Sequence, residues 1–151
     1  MIFSKPVRRT RGGRFAVSLS PDERTVLSRL PADLKAMLAE PDDPSLRRLF
    51  PAAYQDDADK EQEFRRLMQS DLVEHHAAAL DILSETAEAS ELSEEEALAW
   101  LSALNQLRLV LGTRLDVRED DDPGEGRSPE HQLYFYLGYL QEQVVAALGA
   151  G

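Results

Sequence analysis

Apolar residues recur at intervals of three and four positions along most of the chain, which is the pattern of amphipathic helices. The spacing predicts helices over 21–39, 57–88, 94–115 and 129–148. Three of them begin at a serine followed by proline or glutamate, a signal for a capped N-terminus. Pro31 interrupts the first pattern, so the sequence predicts either two short helices or one kinked helix there.

The N-terminal segment follows a different pattern, in which apolar positions alternate with small or polar ones. Every second residue from Phe15 to Leu19 is apolar, and the Gly-Gly pair at 12–13 can supply the positive φ angles of a tight turn. The segments 2–8 and 14–19 are therefore predicted to form a short hairpin. Because a two-stranded ribbon is only marginally stable alone, it has to pack on the helices or pair with a second copy of the chain.

These elements predict a single domain over 1–151, an all-α, mostly helical bundle with a short N-terminal β-hairpin. Residues 1–19 would form a basic ribbon, and the acidic segment 116–128 is expected to be a flexible loop because it contains nothing apolar after Val117. No apolar run reaches the roughly 18 residues of a membrane span. We therefore expect no contact with a membrane.

Charge is distributed unevenly along the chain, whose formal net charge is −11. The segment 1–20 holds five basic side chains and no acidic one, so the rest of the chain carries a formal charge of −16. An acidic body repels phosphate, so the basic arm is expected to bind a protein partner, to lie across the body, or to enter a DNA groove as part of a homodimer. The arm's candidate partner-binding residues are Lys5, Arg8, Arg9, Arg11 and Arg14.

A cluster of aromatic residues lies early in the last helix. Tyr134, Phe135, Tyr136 and Tyr139 spread around the helix, so they cannot all face its core. Tyrosine suits interfaces because its ring buries area while its hydroxyl keeps a polar partner. The three tyrosines are therefore further candidates for partner binding, to be covered either by the ribbon or by another chain.

The third predicted helix contains residues that do not fit a simple amphipathic face. A glycine inside a helix costs about 1 kcal/mol relative to alanine, so Gly112 predicts a close helix approach or a kink. Arg108 lies near the buried stripe, where an arginine needs a paired acid, and Asp71 and Asp81 are the candidates. Such a pair could be architectural or belong to a partner surface. The residues predicted to be structural are Trp100, Arg108, Gly112 and Arg114.

No catalytic or cofactor site can be assembled from the sequence. The absence of cysteine excludes disulfides, thiolate metal sites and thiol switches within the chain, and it favours a cytoplasmic protein. The three histidines lack the Glu-x-x-His pairing of a di-iron bundle; His75 is expected to be semi-buried and His76 exposed. No nucleophile-elbow or phosphate-loop motif occurs. We therefore predict a non-enzymatic protein with no cofactor and no metal.

Four segments are similar to a known family. They are DPSLRRLFPAAYQDD at 43–57, EFRRL at 63–67, WLSALNQLRLVLGTRLDV at 100–117 and YLGYLQEQVVAAL at 136–148. The chain resembles the actinobacterial oxidative stress regulator AosR-like family, formerly a domain of unknown function. The resemblance covers essentially the whole chain, and the block from the tryptophan to RLVLGTRL is its most specific part.

The resemblance implies a non-enzymatic transcription regulator that acts with a partner of the transcription machinery, such as a sigma factor or an RNA polymerase component. The rival interpretations are a regulator that binds DNA directly through the basic ribbon, and a purely structural adaptor. Redox sensing in such a family would rest on cysteines, which this chain lacks. Regulation by partner binding remains compatible with the sequence, whereas direct thiol sensing does not.

Overall fold

A computed structural model describes residues 5–39, 74–115 and 128–150 of the chain. The strands in these ranges are β1 (Val7–Arg9), β2 (Phe15–Val17) and β3 (Glu91–Leu92). The helices are α1 (Pro21–Leu38), α2 (74–85), α3 (Glu94–Leu115) and α4 (Pro129–Gly149). The predicted helical fold with a short N-terminal hairpin is confirmed, and α1, α3 and α4 end within one residue of their expected bounds.

Serine residues cap α1, α3 and α4, as the sequence predicts. The Glu23 amide donates to Ser20 Oγ at 3.1 Å, while the Ser20 amide donates back to Glu23 Oε1 at 3.0 Å. Ser93 and Glu96 make the same reciprocal pair at 2.8 and 3.1 Å. At α4 the Ser128 hydroxyl accepts from the amide three residues later. These bonds satisfy amide groups that the first turn of a helix leaves without a partner.

The first two helices differ in how closely they follow the prediction. α1 is one helix rather than two, and Pro31 lies inside it with its ring buried. α2 ends at residue 85, before the expected bound of 88, because the chain turns over 86–88 and then enters β3. The rest of the predicted helix, 57–73, and the predicted loop up to residue 127 lie outside the described residues.

The hairpin belongs to a three-stranded antiparallel sheet in the order β1-β2-β3. Val7 pairs with Val17, and Phe15 pairs with Leu92 of β3. Gly13 has a φ of 75° at the turn between β1 and β2, which agrees with the expected role of the Gly-Gly pair. The third strand was not predicted, because two residues are too few to show alternation.

α3 and α4 pack against each other as an antiparallel pair, which sets the positions of most candidate residues. A Cβ at Gly112 would lie only 2.8 Å from the Tyr134 ring, so the close helix approach predicted there is confirmed. Toward the other end, Asn105 lies opposite Gln141. The sheet covers the core with its inner face. The largest fully buried side chains include Trp100, Phe15, Leu27, Leu80, Leu83, Leu92, Leu104, Leu137 and Leu140.

Candidate partner-binding surface

Arg9 of the basic arm anchors the sheet to the end of α4. Its guanidinium donates to the carbonyl of Ala147 at 3.4 Å and to that of Leu148 at 3.0 Å. It also lies over the ring of Phe15, 5.1 Å from the centroid. The last carbonyls of a helix have no intrahelical partner and carry partial negative charge, so a cation there is stabilising. Arg9 therefore has a structural role, and its part in recognition stays a prediction.

Arg14 is also engaged within the molecule. Its Nε donates to Glu91 Oε1 at 2.9 Å, which links the start of β2 to β3. Both side chains are 50% exposed, and exposed pairs of this kind contribute roughly 0–1 kcal/mol. Arg9 and Arg14 therefore agree with the alternative prediction, in which the arm lies across the acidic body.

Lys5, Arg8 and Arg11 form the free part of the arm. All three are exposed, and none makes a hydrogen bond or ion pair with the residues that the structure describes. Side chains alternate along a strand, and Val7 of β1 is buried, so Arg8 projects from the outer face of the sheet. We call these three residues the basic triad.

The tyrosines of α4 occupy three different environments. Tyr134 packs against Gly112 and meets Phe135 edge to face, with 5.2 Å between ring centroids. Tyr136 is half-buried and reaches α1, whereas Tyr139 remains 49% exposed. The sequence predicted that the ribbon or another chain covers these tyrosines. In the structure, α3 covers part of Tyr134 and α1 covers part of Tyr136. Tyr139 is the tyrosine of this cluster that stays available to another chain.

Tyr136 and Glu23 form a hydrogen bond between α4 and α1. The hydroxyl donates to Glu23 Oε2 at 2.6 Å. Burial, together with this bond and the nearby carboxylate, raises the pKa of Tyr136. Burial alone would raise the pKa of Glu23, but the bonds from Tyr136 and Ser20 and the charge of Arg24 outweigh it, so the pKa of Glu23 is lowered from its usual 4.5. The bond thus favours the ionised carboxylate.

We expect Tyr136→Phe to lower the free energy of unfolding by about 1.5 kcal/mol at pH 7. This is the lower end of the usual contribution of a hydrogen bond to a charged group, because Glu23 is partly exposed to solvent. A carboxyl with a lowered pKa stabilises the fold above its usual pKa and loses that contribution as the pH falls through the lowered value. The difference between variant and wild type should therefore shrink below pH 4.5. Urea unfolding at pH 7 and pH 3 measures it, with the exposed Tyr139→Phe as control. An equal loss at both pH values would contradict the role of ionised Glu23.

Arg108 is half-buried, as predicted, but it lacks the expected acid. No carboxylate of the described residues lies within ion-pair distance of it, and its buried Nε has no hydrogen-bond partner. Asp81 pairs with Lys35 instead, and Asp71 lies outside the described residues. The stem of Arg108 crosses α4 at Gly138, where a Cβ would meet it at 3.5 Å. The prediction of a carboxylate partner is therefore wrong for the part of the chain that the structure describes.

Two further predicted structural residues lie on α3. Trp100 is fully buried, and its indole N–H donates to the Thr86 hydroxyl at 2.6 Å. Arg114 is exposed beside a cavity of about 110 Å³ between α1, α3 and α4, whose lining is mostly leucine, valine and methionine. This volume is well below the roughly 300–1,000 Å³ typical of ligand pockets. The cavity therefore gives no support for a small-molecule site.

Sequence reasoning missed Arg24, which makes four hydrogen bonds to backbone carbonyls. Nη1 donates to Ala87 at 3.0 Å and to Ala89 at 2.7 Å, Nη2 to Val17 at 3.2 Å, and Nε to Leu19 at 3.3 Å. It thereby joins α1, β2 and the turn before β3. One signal was present in the sequence: a cation near the N-terminal turn of a helix opposes the helix dipole, so Arg24 required a compensating contact.

The described residues show no metal-binding arrangement and no membrane helix. No group of three or more histidine, aspartate or glutamate side chains that could hold a metal ion occurs in ranges 5–39, 74–115 and 128–150. The two adjacent histidines are placed opposite to expectation, with His75 exposed and His76 half-buried. Within the same ranges, none of the helices combines the length and the apolar character needed to cross a membrane.

Comparison with known proteins identifies relatives over nearly the full chain. A relative from Mycobacterium leprae that bears the AosR name is 31% identical over 194 aligned positions, which cover 97% of this chain and 88% of the relative. The oxidative stress regulators AosR of Mycobacterium tuberculosis and Mycobacterium bovis are each 28% identical to this chain. The alignments cover 95% of this chain and 86% of each relative. No solved structure matches the chain.

A family model gives the same assignment. The model for the domain of unknown function DUF2017 matches residues 4–148, a range that includes the sheet, the helices and the basic triad described above. The similarity to the mycobacterial regulators extends over the same elements. The chain therefore belongs to the DUF2017 family and is a member of the same family as the mycobacterial oxidative stress regulators.

Proposed function

We propose that this protein is a non-enzymatic regulator of the oxidative stress response that acts by binding a protein partner of the transcription machinery, with a sigma factor or RNA polymerase component as the partner class. The regulatory role is supported by the names of the relatives. The binding mode is supported by the basic triad, three exposed cations held on the anchored sheet of an acidic protein.

The anchoring of the sheet is what favours recognition by the triad. Arg9 holds β1 against the end of α4, and Arg24 holds β2 against α1. Arg8 is therefore carried by an anchored strand, with Lys5 two residues before that strand and Arg11 in the turn after it, so binding costs less conformational entropy than it would on a free arm. Because the triad makes no intramolecular bond in the described structure, its charges are available to an acidic surface of another protein.

Charge also favours a protein over DNA as the principal partner. A body that carries a formal charge of −16 outside the basic arm would approach phosphate unfavourably. Three cations per chain can neutralise about three phosphates, and two copies together would reach only the lower end of roughly 6–10 phosphate contacts. A protein partner can place its own basic residues against the acidic body while its acidic patch meets the triad.

Replacing Lys5, Arg8 and Arg11 together by serine is expected to leave the melting temperature nearly unchanged and to weaken binding at least about tenfold, because these charges take part in recognition rather than in folding. Binding is measured against purified sigma factors and RNA polymerase from the same organism. The matched control replaces Arg29 and Arg114, which are exposed on other surfaces and make no ion pair with the described residues. It is compared with a variant that replaces Arg8 and Arg11, so that both lose two positive charges. Equal losses in both variants would mean that only net charge matters.

The salt response tests the rival interpretation in the same assay. Binding to a protein partner with an apolar centre should fall only moderately between about 50 and 200 mM salt, whereas a DNA contact through six or more phosphates should fall about a thousandfold. If the protein binds a DNA duplex in that steep manner and none of the polymerase components, direct DNA binding replaces the present proposal.

The composition restricts how an oxidative signal can reach such a regulator. The 151 residues contain no cysteine, so this chain cannot form a disulfide or a sulfenic acid. Any thiol chemistry has to occur on the partner, and the regulator would respond through the binding equilibrium. Oxidant treatment of the purified protein alone, at a dose that leaves its three methionines unoxidised, should accordingly leave its affinity for an untreated partner unchanged.

A further inference from the structure

The outer face of α4 contains few charges for a protein in which 30% of the residues are charged. After the first turn of this helix, one of the five exposed positions is an ionised side chain. Interface cores are depleted of charged residues in this way, whereas ordinary surfaces are not. The five exposed positions are Tyr139, Glu142, Val145, Ala146 and Gly149.

The same face holds two of the three large apolar side chains that are exposed in the described structure. Val145 is 51% exposed and Tyr139 49%. Tyr139, Glu142 and Ala146 follow one another at helical spacing, so they project from one side of α4. Contiguous apolar surface with a polar edge commonly marks a protein–protein contact.

A groove with unsatisfied polar atoms runs along this face. Its volume is about 320 Å³, and it is lined by Arg108, Gly138, Gln141, Glu142, Val145 and Ala146. The Arg108 Nε and the Gln141 Oε1 are buried there, and neither has a hydrogen-bond partner among the residues that the structure describes, although the Gln141 Nε2 donates to Asn105 Oδ1 at 3.3 Å. Buried polar atoms without partners are rare and costly. These two atoms indicate that a partner group is missing from the groove.

Arg108 and Glu142 carry opposite charges in this groove but do not form an ion pair with each other; the ion pairs of the described residues lie elsewhere. Arg108 crosses α4 at Gly138, and Glu142 lies one helical turn further along, about 6 Å away along the axis. A two-fold axis perpendicular to α4 can pass midway between Gly138 and Glu142. It would then bring Arg108 of each copy to the same height along the helix as Glu142 of the second copy.

From these observations we propose that the protein forms a homodimer through this face, with α4 antiparallel to α4 of the second copy and Arg108 of each copy paired with Glu142 of the other. A two-fold contact is self-complementary, so one basic and one acidic residue on the same patch satisfy each other twice. An unrelated acidic partner would satisfy Arg108 but would oppose Glu142, which favours a second copy. The dimer is independent of the partner proposed above.

Sedimentation equilibrium of the wild type, Arg108→Glu, Glu142→Arg and the double variant tests this arrangement over a low to high micromolar range of protein concentration. The wild type is expected to dimerise. Each single reversal should weaken the dimer at least about 100-fold, because both symmetry-related pairs become like-charge pairs. The double variant should dimerise again. Arg29→Glu, on the exposed side of α1, is the matched control and should leave the equilibrium unchanged.

Mixing the two single variants shows whether loss of the dimer reflects misfolding. When a copy carrying Arg108→Glu faces a copy carrying Glu142→Arg, both symmetry-related positions again hold opposite charges. The two variants should therefore form a heterodimer although each alone is monomeric. A monomeric wild type, a single reversal that still dimerises, or a mixture that stays monomeric would each overturn the proposal.

Discussion

Replacing Trp100 by alanine is expected to lower the free energy of unfolding by about 3–5 kcal/mol, the usual range for truncating a large buried aromatic residue. The side chain is fully buried, and its loss would leave a cavity in the core beside the N-terminal half of α3. It would also remove the donor to the Thr86 hydroxyl, which in turn donates to the Ile82 carbonyl at 2.5 Å. Trp100 thereby holds the end of α2 against α3.

Urea unfolding followed by far-ultraviolet circular dichroism measures this loss, since Trp100 is the chain's only tryptophan and its fluorescence disappears with it. Trp100→Phe separates the two contributions, because it keeps most of the ring volume and removes only the N–H. It should cost clearly less than the alanine variant. A loss below about 1 kcal/mol for Trp100→Ala would show that the core collapses around the gap or that the site is not packed as described.

Arg24→Met is the second large effect, with an expected loss of about 2–4 kcal/mol. Methionine keeps the unbranched stem but removes all donors, which leaves four backbone carbonyls of β2 and the neighbouring turns without their bonds to the guanidinium. Hydrogen bonds to charged groups contribute roughly 1.5–3 kcal/mol each, and the half-buried position reduces their sum. Thermal and urea unfolding measure the change.

Two controls make the Arg24 prediction specific. Arg29→Met removes a guanidinium from the exposed side of the same helix and should change stability by no more than about 0.5 kcal/mol. Arg24→Lys keeps the charge but cannot present the planar fork that reaches several carbonyls at once, so most of the loss should remain. If lysine restored full stability, charge alone would be responsible rather than the bonding geometry.

The helices could be predicted because their signals are local. Each of α1, α3 and α4 starts at a serine cap within the residues that the pattern itself identifies, so the amino acids near the boundary suffice to place it. The end of α2 depends on a distant feature, the pairing of β3 with β2, because the chain has to turn before it enters β3. The local pattern does not contain this pairing, so the prediction extended the helix to residue 88.

The roles of the arginines could not be predicted from local sequence. Arg9 and Arg8 are adjacent in a basic run, yet one binds the end of α4 and the other projects from the sheet. Which of them turns inward depends on the strand register and on where α4 ends, near the opposite end of the chain. For Arg108 the helical spacing correctly predicted partial burial. It could not predict which side chain would lie next to Arg108, because that depends on how the helices pack in three dimensions.

The pairing of β2 with β3 joins two segments that are far apart in the sequence, Phe15–Val17 and Glu91–Leu92. Closing such a loop has an entropic cost that grows only with the logarithm of its length, so doubling the enclosed chain would cost about 0.6 kcal/mol. Insertions between the two strands are therefore inexpensive as long as the paired residues remain. Longer members of the family can retain this sheet with almost the same stability when the added residues lie in a connection between elements, and not within α1 or α2, whose leucines belong to the core.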